Sequence, residues 1–160
     1  MIIANQLMKK FDEFLAVDRA SFQVKPGEVM VLLGPNGAGK TTTVRMLTSI
    51  IRPTSGDAKI DGFSVIEDAE MVRTKVGVLT EHHGLYKRMN AEKYLEFFAQ
   101  LYGLEAEAYE PRIKELLSQF GLYEVRTKRL GEYSKGMRQK LALSRALIHQ
   151  PSVLLLDEPT

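Results

Sequence analysis

The residues most suited to chemistry form a glycine-rich run, residues 34–42, with the sequence GPNGAGKTT. Two glycines, a lysine and a threonine in this run have the spacing of a phosphate-binding loop. Lys40 can reach the outer phosphates of a nucleotide as a point charge, and the Thr41 hydroxyl can ligate Mg²⁺. The run therefore predicts a nucleotide phosphate site, and an ordinary glycine-rich turn that precedes a helix is the alternative.

The backbone of this run supplies the other half of the prediction. Three of its residues permit backbone angles that side chains disfavour, so successive N–H groups can turn around an anion: Gly34, Gly37 and Gly39. A helix that begins near Gly39 adds the positive end of its dipole. We expect every residue of the run to contact the nucleotide: Gly34, Pro35, Asn36, Gly37, Ala38, Gly39, Lys40, Thr41 and Thr42.

A pair of carboxylates, Asp157 and Glu158, follows the apolar run of residues 153–156. Such a run is typical of a buried parallel strand, and open α/β sheets build their sites at the carboxyl ends of strands. Asp157 can bind Mg²⁺ directly or through water, and Glu158 can orient and deprotonate an attacking water. A solvated acidic turn is the alternative, but the phosphate-binding pattern on the same chain favours a magnesium–nucleotide site.

Composition limits the broad class of the protein. The chain has 160 residues, of which 44% are apolar and 26% charged, values ordinary for a globular protein. A net charge of +2 is too small to indicate a nucleic-acid partner. Cysteine is absent, which excludes disulfides, thiolate metal sites and a cysteine nucleophile. The lack of cysteine is compatible with a cytosolic protein, and we expect neither a secretory signal nor a run long enough to span a bilayer.

The first half of the chain is predicted to be rich in strands. Apolar and β-branched residues predict strands at 2–8, 15–24, 29–33 and 76–79, and a helix is expected at 39–51. In the second half, Asn90 is a plausible N-cap for one helix, and Pro111 and Gly121 are expected near the start and just past the end of the next. A third helix is expected to begin at Ser134 and to end before Pro151, with a last strand at 153–156.

Three segments together resemble the nucleotide-binding domain of ATP-binding cassette (ABC) ATPases. GPNGAGKTT is similar to the family's Walker A motif, LLLDEPT to its Walker B motif, and YSKGMRQKLALSRAL (residues 133–147) to its signature motif and helix. The resemblance implies an α/β P-loop NTPase fold with a RecA-like parallel core, an N-terminal antiparallel β subdomain and an inserted helical subdomain. It divides one domain into residues 1–88 (β subdomain and core), 89–150 (helical) and 151–160 (Walker B strand).

The resemblance also implies further site residues. Phe11 matches an aromatic residue that stacks on adenine, although a place in the core of a strand is the alternative. Ser134 and Gly136 match the signature serine and second glycine, which contact ATP held by the opposite subunit of a head-to-tail dimer. The usual signature is LSGGQ, so Lys135 and Met137 are departures from it, and Lys135 either adds a charge near the phosphate or points to solvent.

A further departure lies at Glu81, where the family has a glutamine that links the metal and the attacking water to the transport subunit. A glutamate can accept from a magnesium-bound water but cannot donate when ionised. We expect Glu81 to take over that role as a metal ligand. The adjacent His82 and His83 lack the spaced partners of a zinc site and are interpreted as polar loop residues.

The resemblance predicts an ATP- and Mg²⁺-dependent ATPase subunit that energises a separate integral membrane permease, in the direction of export. Such a subunit is cytoplasmic and lies on the inner face of the cell membrane. The alternatives are a soluble ABC ATPase of translation, DNA repair or Fe–S assembly, and a regulatory module that binds ATP without hydrolysing it. Glu158 disfavours the regulatory module, and the lack of a heptad run disfavours the DNA-repair members.

The family also has a histidine-bearing strand between its two Walker strands, and this strand is not found within the 160 residues. The fold is therefore expected to be incomplete at its C-terminus, as in a fragment of a longer protein. A sheet without that strand exposes apolar faces and unpaired edges. We accordingly expect residues 1–160 alone to be unstable and nearly inactive as an ATPase.

Overall fold

The computed structural model describes residues 1–80 and 84–157. The chain divides into two compact units, Met1–Val76 and Gly77–Thr160. Four residues singled out from the sequence lie outside the described residues: Glu81, His82, His83 and Glu158.

The first unit is built on a four-stranded antiparallel sheet with the strand order β2-β1-β3-β4. Its strands are β1 (Ile2–Phe11), β2 (Phe14–Val24), β3 (Ser55–Ile60) and β4 (Phe63–Ser64). Two helices complete the unit, α1 (Lys40–Leu47) and α2 (Ala69–Lys75). The first two predicted strands are thus confirmed, and both extend toward a shared two-residue turn.

The predicted strand at residues 29–33 is wrong, because this segment pairs with none of the described strands. Its apolar side chains face solvent, with Val29 93% and Leu33 88% exposed. A continuous apolar run is stable as a strand when neighbouring strands and covering helices bury both of its faces. The described residues supply no such neighbour here, so the local pattern does not decide the conformation.

Helix α1 ends at Leu47, four residues earlier than predicted. The reason is a Schellman motif at its end, in which Ser49 adopts a left-handed φ of 55°. Ser49 N–H donates to the carbonyl of Met46 and Ile50 N–H to that of Arg45, both at 3.0 Å. These two bonds satisfy the last carbonyls of the helix and turn the chain away from its axis.

The second unit contains a two-stranded parallel sheet formed by β5 (Val76–Leu79) and β6 (Val153–Leu156). The bounds of both strands are those predicted from the sequence. Between them lie α3 (Ala91–Leu101), α4 (Ala106–Gln119) and α5 (Lys135–Leu147). Two short 3₁₀ turns, Tyr123–Val125 and Leu130–Glu132, connect α4 to α5.

The predicted helix caps are confirmed at both ends of this region. The Asn90 side chain accepts from Lys93 N–H at the start of α3, and Gly121 has a φ of 67° just after α4. The predicted start of α4 near Pro111 is wrong, because the helix begins five residues earlier, at Ala106. Gly103 ends α3 with a φ of 73°, so the chain is free to start a new helix at once.

The core of the second unit is formed by the inward faces of α3, α4 and α5. Its fully buried large side chains are Tyr94, Leu95, Leu116, Leu117, Leu122, Leu130 and Leu141. Leu101 does not share this core, because it is 69% exposed. With Phe97 and Tyr86 it leaves an apolar surface on α3 and the segment before it.

Candidate nucleotide-binding site

The glycine-rich run forms a tight loop before α1. Asn36 and Gly37 make its turn, which the Ala38 N–H closes by donating to the Pro35 carbonyl at 3.2 Å. Gly37 and Gly39 have φ angles of 82° and 83°. The left-handed backbone expected from the sequence therefore exists at these two glycines.

Gly34 is required for a different reason. Its φ is not among the positive values, which corrects the expectation that all three glycines adopt special angles. A Cβ at this position would instead lie 2.9 Å from the Cβ of Ala38. The first glycine thus allows the two ends of the loop to approach each other.

Gly39 joins the loop to the β1–β2 hairpin. A Cβ at Gly39 would lie 2.3 Å from the Ala16 carbonyl oxygen and 3.0 Å from Cγ2 of Val17. Real Cβ atoms essentially never approach other atoms below 3.0 Å, so no other residue fits without a backbone shift. The sequence pattern does not indicate this close approach, since it depends on a strand that lies more than twenty residues earlier in the chain.

Lys40, the first residue of α1, closes the loop from the other side. Its ammonium donates to the carbonyl oxygens of Gly34 at 2.8 Å and Pro35 at 2.9 Å. An ammonium has three N–H donors, so these two bonds leave one for an anion. The loop thus combines a fixed positive charge with the N-terminal end of an eight-residue helix, which is the arrangement that binds phosphate.

The threonines of the run lie in the first turn of α1, where Thr41 and Thr42 are half-buried. Thr43 anchors the turn, since its backbone N–H and its hydroxyl both donate to the Gly39 carbonyl, at 2.8 and 2.9 Å. The first helical turn is therefore held to the last glycine of the loop. The role of Thr41 as a metal ligand stays a prediction.

Phe11 is the last residue of β1 and is 44% exposed, so it is not a residue of the strand core. The Lys9 ammonium lies 5.0 Å from the centre of its ring and donates to the Arg52 carbonyl at 2.8 Å. The position of the ring at the end of the strand is compatible with stacking against a base. That role is still a prediction.

In the second unit, Asp157 follows β6 directly and is buried. Its backbone N–H donates to the carbonyl of Leu79, the last residue of β5, at 2.9 Å. The carboxyl ends of the two strands therefore lie side by side, as expected for the site edge of a parallel sheet. Glu158 and Glu81, the predicted base and metal ligand, lie outside the described residues.

The predicted signature residues lie at the N-terminus of α5. The Ser134 hydroxyl accepts from the Met137 N–H at 3.2 Å, which confirms the predicted N-cap. Ser134, Lys135 and Gly136 are exposed, and a Cβ at Gly136 would meet nothing within 4 Å. The N-terminal end of α5 is therefore exposed to solvent.

Tyr133 holds this helix end in place. Its ring is buried, and its hydroxyl donates to the Val125 carbonyl at 2.9 Å. Burial raises the pKa of the Tyr133 phenol, and the charge of Glu92 raises it further. The residue that precedes the signature serine is thus a structural anchor, a role that the sequence pattern does not indicate.

No group of three or more His, Asp or Glu side chains in the described parts of the chain is arranged to hold a metal ion. No helix within residues 1–80 or 84–157 is long and apolar enough to cross a membrane.

A family model for the ABC transporter matches residues 17–160, which includes the loop, the signature helix and Asp157. The chain belongs to the ABC transporter family of ATP-binding domains. The resemblance drawn from the three motifs is thereby confirmed.

Two curated relatives of this ABC domain are similar over most of it. The ABC transporter ATP-binding protein NatA of Bacillus subtilis (strain 168) is 44% identical over 146 residues, which are 91% of this chain and 59% of NatA. The probable multidrug ABC transporter ATP-binding protein YbhF of Escherichia coli (strain K12) is 40% identical over 160 residues, 100% of this chain and 28% of YbhF. The chain thus spans less than two thirds of the length of these relatives.

A solved structure supports the fold of the ABC domain. It is a dimeric post-hydrolysis state of an ATP-binding cassette with bound ADP and Pi, and it matches with a TM-score of 0.85 and 25% identity. The match covers 100% of this chain and 75% of that one. The predicted fold class, an α/β P-loop domain with an antiparallel β subdomain and a helical subdomain, is confirmed.

Within the first unit, the structure brings together the loop, Lys40 and the hairpin residues Ala16 and Val17. Sequence reasoning missed the hairpin contact and also missed Phe14, an exposed aromatic residue that pairs with Phe11. The sequence carries little signal for Phe14, because Asp12-Glu13 is not one of the dipeptides that indicate a two-residue hairpin turn.

Proposed function

We propose that these residues are the ATP-binding and ATP-hydrolysing domain of an ABC exporter whose membrane permease is a separate subunit. The observation that carries the proposal is the Lys40 ammonium, which two loop carbonyls hold at the start of α1. A phosphate bound there would receive the third ammonium donor, the backbone N–H groups of the loop and the helix dipole together. Family membership favours ATP as the source of that phosphate.

Magnesium suits the donor set that the family motifs indicate. The Walker motifs supply Thr41 as a hydroxyl and Asp157 as a carboxylate, both hard oxygen ligands of the kind Mg²⁺ prefers. When bound, Mg²⁺ would neutralise charge on the phosphates. We propose Glu158 as the base that orients and deprotonates the attacking water, and Glu81 as a further ligand that senses the metal.

We propose that hydrolysis requires a head-to-tail dimer. Ser134 and Gly136 lie exposed at the N-terminus of α5, where they are available to a second copy's ATP. A helix N-terminus favours an anion, and the matched cassette that holds ADP and Pi is dimeric. Lys135, at the first position of the same helix, is also exposed.

We propose the exposed apolar surface of Tyr86, Phe97 and Leu101 as the place where the permease docks. Tyr86 and Phe97 pack edge to face with ring centres 6.0 Å apart, so the exposed rings form one continuous surface. Exposed aromatic residues in contact with one another favour a protein partner. The similarity to YbhF, a probable multidrug transporter protein, supports export as the direction.

The catalytic proposal is tested in the full-length protein with Glu158→Gln, Lys40→Ala and a matched control, Glu110→Gln, on the exposed side of α4. We expect Glu158→Gln to lose ATP turnover while it still dimerises with ATP, and Lys40→Ala to lose ATP binding. The control should retain turnover. Turnover that persists in Glu158→Gln would refute Glu158 as the base, whereas a parent protein that binds ATP without any turnover would favour the binding module.

The sensing role of Glu81 and the docking surface for the permease are tested separately. Glu81→Ala should change basal ATPase activity or its stimulation by the permease, and no change in either would refute a sensing role. Phe97→Asp should reduce recovery of the domain with the membrane fraction. Ile50→Asp, at an exposed apolar position of the first unit, is the control and should leave recovery unchanged.

A further inference from the structure

The tip of the β1–β2 hairpin carries two exposed phenyl rings. Phe11 ends β1 and Phe14 begins β2, with Asp12 and Glu13 as the turn between them. Phe14 is 63% exposed, which is more than Phe11 at 44%. Exposure of two large apolar rings to water is unfavourable, and a ligand that covered the rings would bury this apolar surface.

The strand register places both rings on one face of the sheet. Phe11 and Phe14 are direct cross-strand partners, and such partners share a face with Cβ atoms about 5 Å apart. Lys9 pairs with Val17 and Lys10 with Leu15, so the register shifts between these pairs and Ala16 is the additional residue. Lys9 and Phe11 are two residues apart in β1, so they lie on the same face of the strand. Val17 is the partner of Lys9 and therefore lies on this face together with the two rings.

Val17 connects this face to the phosphate loop. Its Cγ2 lies 3.0 Å from the position a Cβ would take at Gly39. The three strand steps from Val17 to Phe14 span roughly 10 Å. This distance is comparable to that between the base of a nucleotide and its outer phosphates, so a nucleotide on the loop can reach the hairpin tip.

Phe11 alone offers a base limited contact. The Lys9 ammonium lies over its ring at 5.0 Å and is held by the Arg52 carbonyl at 2.8 Å. One side of the Phe11 ring is therefore next to a fixed cation, and the base has the other side. Phe14 is the aromatic residue that the register places beside Phe11 on the loop-facing side of the sheet.

We propose that Phe14 is a second nucleobase-contacting residue and that it forms with Phe11 a two-ring platform against which the base lies. The inference rests on the proposed function, since it requires that the loop binds the phosphates of the same nucleotide. Stacking of this kind tolerates different bases because every base has a π-face. The platform therefore contributes affinity for nucleotides and little discrimination among them.

The test compares two probes, Mg-ATP and magnesium tripolyphosphate, which lacks the base, by titration calorimetry with the full-length protein. Phe14→Ala should weaken ATP binding about 5- to 150-fold, as expected for the loss of one stacked ring. Binding of tripolyphosphate should stay within about twofold, since that probe cannot touch the platform. Phe14→Leu keeps an apolar side chain without the ring and should give an intermediate loss.

The matched control is Leu15→Ala, on the next residue of β2. Leu15 is 46% exposed and pairs with Lys10, so it lies on the opposite face of the hairpin. We expect Leu15→Ala to bind both probes as the parent does. The circular dichroism spectra of the Phe14 and Leu15 variants should match that of the parent, because neither Phe14 nor Leu15 belongs to the core.

The outcomes separate the platform from the proposed function. Unchanged ATP affinity in Phe14→Ala, or an equal loss for both probes, would overturn the platform. Lys40→Ala should lose affinity for ATP and tripolyphosphate alike. If Lys40→Ala binds both probes as the parent does, the proposed function fails, whatever Phe14→Ala does.

Discussion

Replacing Gly39 by alanine tests how the phosphate loop is held against the hairpin. Gly39 has a φ of 83° and faces the Ala16 carbonyl oxygen. Alanine at this position meets two separate penalties, one from the backbone angle and one from the contact. Both penalties destabilise the folded first unit and change the shape of the phosphate loop.

The two penalties can be estimated separately. A left-handed φ costs a residue with a Cβ about 1–2 kcal/mol. The new Cβ would lie 2.3 Å from the Ala16 oxygen, so one of the two backbones must move by roughly 1 Å to restore an ordinary contact. Overpacking of this kind costs a further ~1–3 kcal/mol, so we expect Gly39→Ala to lose about 2–5 kcal/mol in total.

Gly37→Ala is the matched control, because it isolates the first penalty. Gly37 has nearly the same φ, 82°, but a Cβ there meets nothing within 4 Å. We expect it to lose only about 1–2 kcal/mol. The difference between the two variants therefore measures the contact between Gly39 and Ala16.

The assay is urea denaturation of the full-length protein, monitored by circular dichroism, together with the affinity for Mg-ATP. Gly39→Ala should have the lower unfolding free energy and the weaker ATP affinity, since a shift of about 1 Å in the loop misplaces its N–H donors. Equal losses in the two variants would refute the reasoning, because they would leave only the shared backbone angle as the cause.

Three further predictions concern stability and use the same denaturation assay. Ser134→Ala removes the N-cap of α5 and should lower the unfolding free energy by about 1 kcal/mol, whereas Ser134→Asp, which also caps, should not. Ser49→Gly should raise it by about 1 kcal/mol, because Ser49 has a φ of 55° and its hydroxyl is buried with no hydrogen-bond partner among residues 1–80 and 84–157. Burial raises the pKa of Tyr94 and Tyr133 above 10.0, so stability should be complete below about pH 10 and fall as the pH rises through the folded-state pKa values. Tyr94→Phe should flatten that alkaline decline, and an unchanged slope would mean that the Tyr94 phenol ionises in the folded unit as easily as in the unfolded chain.

The sequence was sufficient where a local interaction determines the structure. Asn90 and Ser134 are caps in the structure as predicted, because their side chains bond to backbone N–H groups only three residues away. Gly121 ends α4 for an equally local reason, its positive φ. The phosphate loop belongs to the same class, since the spacing of its residues fixes which side chains can meet.

Where distant residues determine the structure, the local pattern was insufficient. Residues 29–33 have the composition of a buried strand, but a strand requires hydrogen-bonding neighbours that composition does not report. The early end of α1 arises from a serine in a conformation that usually selects glycine, so the expected marker was absent. Leu101 has the helical spacing of a core residue, and its exposure depends on which neighbours α3 packs against.

The candidate site shows the same division at the level of single residues. The motif indicates that Gly34, Gly37 and Gly39 must be glycine, yet it does not distinguish their three reasons. Gly37 is needed for its angle alone, Gly34 for the approach of Ala38, and Gly39 for an angle and a contact with a strand elsewhere in the chain. The last of these ties the phosphate loop to the hairpin that carries Phe11 and Phe14. A change in that hairpin therefore alters both ends of the proposed nucleotide site, since the hairpin contacts the loop through Ala16 and Val17 and carries the two aromatic rings at its tip.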